Sequence, residues 1–148
     1  MRNDSGFTII ELMIVVGIAA VLTTIAGYSY FSYRPSLLLS GATRQIMGDL
    51  LAAKMKAVGQ SNDHKIFFLN AREYMVLDDD DNDGVLDGGE WSQTKDIQTE
   101  YPGVTFTVTG DPVFTSRGTA NNVTTVTLTN SVNTKQISIY MTGLVEIG

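Results

Sequence analysis

The stretch Gly6-Phe7-Thr8-Ile9-Ile10-Glu11 opens a long apolar run near the start of the chain. From Phe7 to Ala26 there are 20 residues, and Glu11 is the one charged side chain among them. At a rise of about 1.5 Å per residue, a helix of this length spans roughly 30 Å, the hydrocarbon thickness of a bilayer. Because a carboxylate is costly to bury in lipid, Glu11 indicates a function near the start of this helix.

The polar segment before this run leaves two simpler interpretations open. A secretory signal carries a positive N-terminal region and a small-residue cleavage site after its apolar core. Here Asp4 offsets part of the positive charge of Arg2 and the amino terminus, so the positive bias is weak. A cut after Ala26 also fits the Ala-x-Ala pattern poorly. The chain could therefore carry a cleaved signal, or a plain single-span anchor whose Glu11 reaches the membrane interface.

The order Gly6-Phe7-Thr8-Ile9-Ile10-Glu11-Leu12 also resembles the class III signal of type IV pilins and type II secretion pseudopilins. This resemblance is the favoured interpretation. It implies that prepilin peptidase cuts between Gly6 and Phe7, so that residues 1–6 are a leader peptide and Phe7 becomes a methylated amino terminus. It further implies that Glu11 pairs with the Phe7 ammonium of a neighbouring subunit, which neutralises two charges that are costly to bury.

The same resemblance implies a cellular setting and a function. The chain is expected to be a structural, minor subunit of a type IV pilus or a type II secretion pseudopilus. It would be held in the bacterial inner membrane by a single span, with its C-terminal domain in the periplasm. Its partners would be other pilin or pseudopilin subunits, the prepilin peptidase, the inner-membrane assembly platform, and the lipid bilayer before assembly.

The following residues predict an α+β, pilin-like fold in which a long N-terminal helix packs on an antiparallel sheet or sandwich. Three tyrosines and a phenylalanine between residues 28 and 33 are typical of an interfacial aromatic belt, so a transmembrane and interfacial helix is predicted over 7–33. Gly27 and Pro35 are candidate sites of a bend. An amphipathic second half of the helix is predicted over 34–60, because apolar residues recur there every three or four positions: Leu39, Ala42, Ile46, Leu50, Ala53 and Ala57.

Beyond the turn formers at 59–63, alternation with period two predicts a β-rich globular domain over 61–148. A hairpin is predicted from 65–69 and 73–77, with further strands in 104–109, 123–129, 135–141 and 144–147. The segments 114–120 and 142–145 resemble the C-terminal part of the GspH and FimT group of minor pseudopilins and pilins. Within the first of these segments, Arg117 and Gly118 are interpreted as a structural turn.

An acidic loop is predicted over 78–90. It holds 7 of the 16 acids of the chain, so it accounts for the net charge of −6. Its spacing fits the twelve-position calcium loop, although a strand precedes it and no helix is predicted after Trp91. The alternative is a solvated acidic turn, and a structural Ca²⁺ ion is favoured over it. The proposed ligands are Asp79, Asp81, Asp83, the Val85 carbonyl, Asp87 and Glu90, with Gly84 at the sharp turn.

Composition argues against other classes of function. The chain has no cysteine and one histidine, His64, so a non-enzymatic protein is predicted. His64 is interpreted as a capping or surface residue, and Trp91 as a local packing anchor. A DNA-binding minor pilin acting in DNA uptake is the alternative function. This alternative is disfavoured, and so is nucleic acid as a partner, because no basic residue follows Lys135.

Overall fold

The computed structural model describes residues 7–81, 83 and 85–148. Helix α1 covers Ile9–Gln60, and its residues belong to two compact units, one ending at Arg34 and the other covering Pro35–Gly148. Eight strands lie in the described part of the second unit, with a 3₁₀ helix at Ile97–Thr99 after the third. The strands are β1 (Asp63–Phe68), β2 (Glu73–Asp79), β3 (Ser92–Asp96), β4 (Thr105–Val108), β5 (Val113–Phe114), β6 (Thr124–Thr129), β7 (Thr134–Ile139) and β8 (Val145–Ile147).

Helix α1 begins at a capped end. Thr8 Oγ1 accepts a hydrogen bond from the Glu11 backbone N–H at 3.2 Å, and Thr8 O accepts one from Leu12 N at 3.1 Å. A threonine followed three residues later by a glutamate has the order of a capping box. A carboxylate in the first turn also interacts favourably with the helix dipole. Glu11 is thus placed in the first turn of the apolar part of α1.

Within the second unit, α1 packs against the sheets through one face. Thr43 is buried in this face although it is polar, and its hydroxyl donates to Leu39 O at 2.7 Å, which satisfies it without water. The predicted end of the helix near 59–63 is confirmed, because α1 ends at Gln60. The predicted apolar stripe is also confirmed, because every one of its members is buried: Leu39, Ala42, Ile46, Leu50, Ala53 and Ala57.

The strands form two antiparallel sheets, and the predicted pilin-like α+β fold is confirmed. The first sheet has the order β3-β2-β1-β5 and the second has the order β4-β6-β7-β8. The predicted hairpin pairs Phe68 with Tyr74 across the turn at 69–72. The rings of Phe68 and Phe106 lie edge to face with centroids 5.2 Å apart, and Tyr74 lies 6.1 Å from Phe106. These contacts join β1 and β2 of the first sheet to β4 of the second.

Two strands were not predicted, and some predicted strand ends were wrong. Strand β3 is polar and largely exposed, so it lacks the apolar alternation that marks a half-buried strand. Strand β5 is two residues long and has no period to read. Val123, Met141 and Leu144 were expected in strands, but they lie outside them and are exposed.

Two glycine turns meet beside α1. Gly118 and Gly143 both have positive φ, at 76° and 75°, and Gly118 N donates to Thr115 O at 2.8 Å. Lys54 on α1 donates to Gly143 O at 2.8 Å, so the helix and the second turn are tied together. A Cβ on Gly143 would lie 1.9 Å from Gly118 O, which no backbone can tolerate without moving. The interpretation of Arg117 and Gly118 as a structural turn agrees with this geometry.

We expect Gly143→Ala to destabilise the domain more than Gly103→Ala. Gly103 has a similar φ of 81° but open space around it, so its substitution costs about 1–2 kcal/mol for the left-handed conformation alone. Gly143→Ala adds the clash with the Gly118 carbonyl, about 1–3 kcal/mol more. Urea unfolding of residues 35–148 measures both variants. Equal losses in the two would show that the turns do not pack closely.

Candidate assembly helix and acidic loop

The N-terminal part of α1 is an apolar helix without a buried face. In the unit ending at Arg34, all described residues are exposed except Gly27, which is half-buried. An 18-residue segment of α1 has a mean hydropathy of 2.5. Among the described residues, α1 is the one helix that is long and apolar enough to cross a membrane. A helix that is apolar all round is normally surrounded by lipid or by other protein. Within its own unit, this part of α1 therefore has no protein packed around it, although its apolar composition requires lipid or protein contact.

The residues predicted for processing and assembly lie at the start of this helix. Phe7 is the first described residue, and its side chain is 81 % exposed. Gly6, the predicted residue before the cut, lies outside the described residues. Glu11 is exposed and forms no ion pair with any described residue. Its carboxylate is thus available to a partner from outside the chain.

Three acidic side chains of the predicted calcium loop come together in the structure. Asp79, Asp81 and Asp83 each place a carboxylate oxygen within 4.8 Å of the others, and they form the one such group among the described residues. Asp79 ends strand β2 and is 1 % exposed, whereas the other two are exposed. The Asp83 backbone N–H is 3.1 Å from oxygens of both Asp79 and Asp81. Strand β2 therefore fixes one carboxylate, and the turn folds the other two towards it.

The remaining predicted ligands are placed differently. Glu90 Oε1 accepts from Asp80 N at 3.0 Å and Glu90 Oε2 accepts from Asp87 N at 2.9 Å, so its carboxylate closes the loop on itself. Asp87 and Glu90 are not in the group of three carboxylates. Val85 donates its N–H to Asp83 Oδ1 at 2.7 Å. The turn residue Gly84 lies outside the described residues.

The base of the loop is tied to the end of α1 by Asn62, which the sequence did not single out. Asn62 is 9 % exposed, and its Nδ2 donates to Asp78 Oδ1 and to Asp80 Oδ1, each at 2.9 Å. One amide that holds two carboxylates together opposes their mutual repulsion. An asparagine in a turn is common, so its position in the sequence gave no signal of this contact.

The interpretation of His64 as a capping or surface residue is wrong. His64 belongs to β1 and is 0 % exposed, because β1 begins only three residues after the helix ends and every second residue of it faces the core. Its Nε2 lies 3.5 Å from Asp78 Oδ1, and neither ring nitrogen forms a hydrogen bond with the described residues.

Comparison with protein families decides the identity of the chain. The prokaryotic N-terminal methylation motif matches residues 1–27, and the type II transport protein GspH family matches residues 42–143. The chain belongs to the GspH family. In this GspH-family protein, the matched region begins inside α1 and includes the acidic loop and both glycine turns. A comparison with curated protein sequences finds no match.

Solved structures with the same fold include minor pilins and minor pseudopilins. The type IV minor pilin FimU of Pseudomonas aeruginosa is 18 % identical with a TM-score of 0.57, covering 74 % of this chain and 87 % of FimU. The minor pseudopilin EpsH from the type II secretion system of Vibrio cholerae is 11 % identical with a TM-score of 0.54, covering 71 % of this chain and 91 % of EpsH. At these identities the likeness establishes the fold, which is that of a minor pilin or pseudopilin.

Proposed function

We propose that this GspH-family protein is a minor structural subunit that assembles through its N-terminal helix into a type II secretion pseudopilus or a type IV pilus. Before assembly, residues 7–26 cross the bacterial inner membrane once and the C-terminal domain lies in the periplasm. Prepilin peptidase removes residues 1–6, and an inner-membrane platform adds the subunit to a filament of other pilins or pseudopilins. The role is structural and requires no catalysis.

One observation carries this proposal, which is that none of the residues 7–26 is buried although 19 of these 20 are uncharged. The hydrophobic core lies within the second unit and includes none of these residues. Lipid can cover it before assembly, and the equivalent helices of neighbouring subunits can cover it afterwards. A filament subunit needs both environments in turn, whereas a plain anchor needs only the first.

Glu11 supports assembly over plain anchoring. By insertion scales, an ionised carboxylate at the centre of a membrane-spanning helix costs about 2.5–3.5 kcal/mol, which is an upper bound for Glu11 in the first turn. Cutting before Phe7 would create an ammonium four residues before Glu11 in the chain, just ahead of the helix. An isolated subunit that keeps its Glu11 unpaired would gain when a neighbour supplies that ammonium, since the two charges then neutralise each other. The apolar flanks pack without direction, so this pair would set the axial register.

Intact-mass measurement of the protein purified from membranes tests the processing step. We expect a chain that starts at Phe7 and carries one added methyl group. Gly6→Leu should leave the chain starting at Met1, because a bulky side chain replaces the glycine before the cut. Gly17→Ala, a change within the same apolar run, should be processed normally. A wild-type chain that starts at Met1 or at Gly27 would contradict the proposal.

The acidic loop is proposed to bind a structural Ca²⁺ ion. Calcium takes six to eight oxygen ligands at about 2.3–2.6 Å, so two oxygens on one ion lie no more than about 5 Å apart. The spacing of 4.8 Å within the group of Asp79, Asp81 and Asp83 meets this limit. Three carboxylates this close repel one another, and a divalent cation relieves that repulsion. The Val85 carbonyl, Asp87 and Glu90 are the proposed further ligands.

The hydrogen bonds of the loop suit a stiffening role. Glu90 already holds the Asp80 and Asp87 amides, so the loop is closed at its base by the protein itself. A cation would then fix the turn at 79–83, where three carboxylates converge. Because a strand and not a helix lies on either side, the ion would stabilise one conformation of the loop without opening a helix pair.

We expect Ca²⁺ to raise the melting temperature of residues 35–148, and Asp81→Asn to abolish most of that increase. The asparagine keeps an oxygen that can accept from the Asp83 amide, so it removes the charge and spares the hydrogen bond. Glu146→Gln, an exposed change in β8, is the matched control and should keep the full response. Calorimetry with calcium and with chelator gives the comparison. Identical melting curves for the wild type in the two conditions would contradict a calcium site.

The DNA-binding alternative gains no support from the family or from the structural relatives. Lys135, the last basic residue of the chain, lies half-buried in β7. The net charge of −6 also opposes association with phosphate backbones.

A further inference from the structure

A groove lies between α1 and the outer edge of the first sheet. Its cavity has a volume of about 110 Å³. Asp49 and Lys56 of α1 line one side, and Gln93 and Lys95 of β3 line the other, with Trp91 just before that strand. Since one water molecule occupies about 30 Å³ of liquid, the cavity has room for the end of one polar side chain.

The one acid of the groove is already neutralised. Lys95 Nζ lies 2.7 Å from Asp49 Oδ1, and the Tyr74 hydroxyl donates to Asp49 Oδ2. Burial, together with this hydrogen bond, raises the pKa of the Tyr74 phenol, so the hydroxyl keeps its proton and remains a donor. Both oxygens of Asp49 are therefore engaged, and Asp49 is not the partner of a second cation.

Lys56 supplies the second cation of the groove. Its ammonium lies 4.2 Å from the centroid of the Trp91 ring, and it forms no ion pair among the described residues. The cation–π contact orients the ammonium without neutralising it. With Asp49 paired to Lys95, the groove carries one net positive charge in a chain whose overall charge is −6.

Strand β3 offers an open backbone edge beside these side chains. It pairs with β2 on one side and ends the first sheet on the other. Gln93 and Lys95 are two residues apart and face the groove together, as alternate residues of a strand do. An extended segment that added to β3 would present its own alternate side chains to the same face.

We propose that this groove binds the side-chain carboxylate of an acidic residue on an extended segment of a neighbouring filament subunit. The carboxylate pairs with Lys56 and accepts from Gln93, while the aliphatic part of the side chain packs on Trp91 and Val76. The positive groove selects an acidic segment, and the edge of β3 aligns it. This inference rests on the proposed assembly function and names a contact within it.

The full chain in detergent micelles, without added calcium, tests the contact directly, because Trp91 is the single tryptophan and lines the groove. The probe is a blocked pentapeptide, Thr-Val-Glu-Val-Thr, titrated against the same peptide with glutamine at its centre. We expect a saturable change of Trp91 fluorescence with a Kd on the order of 1 mM for the glutamate peptide. We expect at least about tenfold weaker binding for the glutamine peptide, and weaker binding of the glutamate peptide at about 1 M salt.

Matched variants separate this contact from general charge attraction. Lys56→Met should weaken binding at least about tenfold, whereas Lys56→Arg, which keeps the charge and the ring contact, should retain it. Lys135→Met removes a lysine of β7 and should bind like the wild type. Equal binding of the two peptides, no saturable change, or wild-type affinity in Lys56→Met would each overturn the proposal. No filament is present in this assay. A negative result would therefore rule out the proposed groove contact without contradicting assembly through α1.

Discussion

Helix α1 is covered by protein along only part of its length, and this unequal burial determines how the domain folds and which surface stays apolar. Between Leu39 and Ala57 one face of the helix is covered by the sheets, and truncating a buried leucine of such a face costs about 2–5 kcal/mol. Between Phe7 and Ala26 no face is covered. Residues 39–57 hold the domain together, and residues 7–26 leave apolar surface for other molecules. One helix therefore serves both folding and assembly.

Much of the fold could be predicted because its signals are periodic. Apolar residues at every three or four positions predicted the buried face of α1. Alternation of apolar and polar residues predicted strands β1, β2, β4, β6 and β7. Strand β3 was missed because its pairing with β2 is a backbone interaction that leaves no apolar pattern in its exposed side chains. His64 was misplaced because a turn-rich segment predicts solvent, whereas β1 turns its second residue into the core.

The candidate functional residues differ in how far the sequence could locate them. Phe7 and Glu11 lie within one short motif, and its resemblance to the class III signal of pilins proposed both residues together. The acidic loop is also local, and its spacing correctly brought Asp79, Asp81 and Asp83 together, but it did not reveal that Glu90 holds two backbone amides. The groove could not be predicted at all. Lys56 and Trp91 are far apart in the chain and meet only because β3 lies beside α1.

We propose that Glu11 pairs with the amino terminus of a neighbouring subunit during assembly. This pairing can be tested by comparing the amounts of wild type, Glu11→Gln and the exposed-site control Glu100→Gln in membranes and in sheared filaments of the producing bacterium. Removing one partner of a buried pair costs about 3–5 kcal/mol, so Glu11→Gln should reach wild-type levels in membranes but fall at least about tenfold in filaments. The control should match the wild type in both fractions. Glu11→Gln at the wild-type level in filaments would show that assembly does not depend on this charge pair.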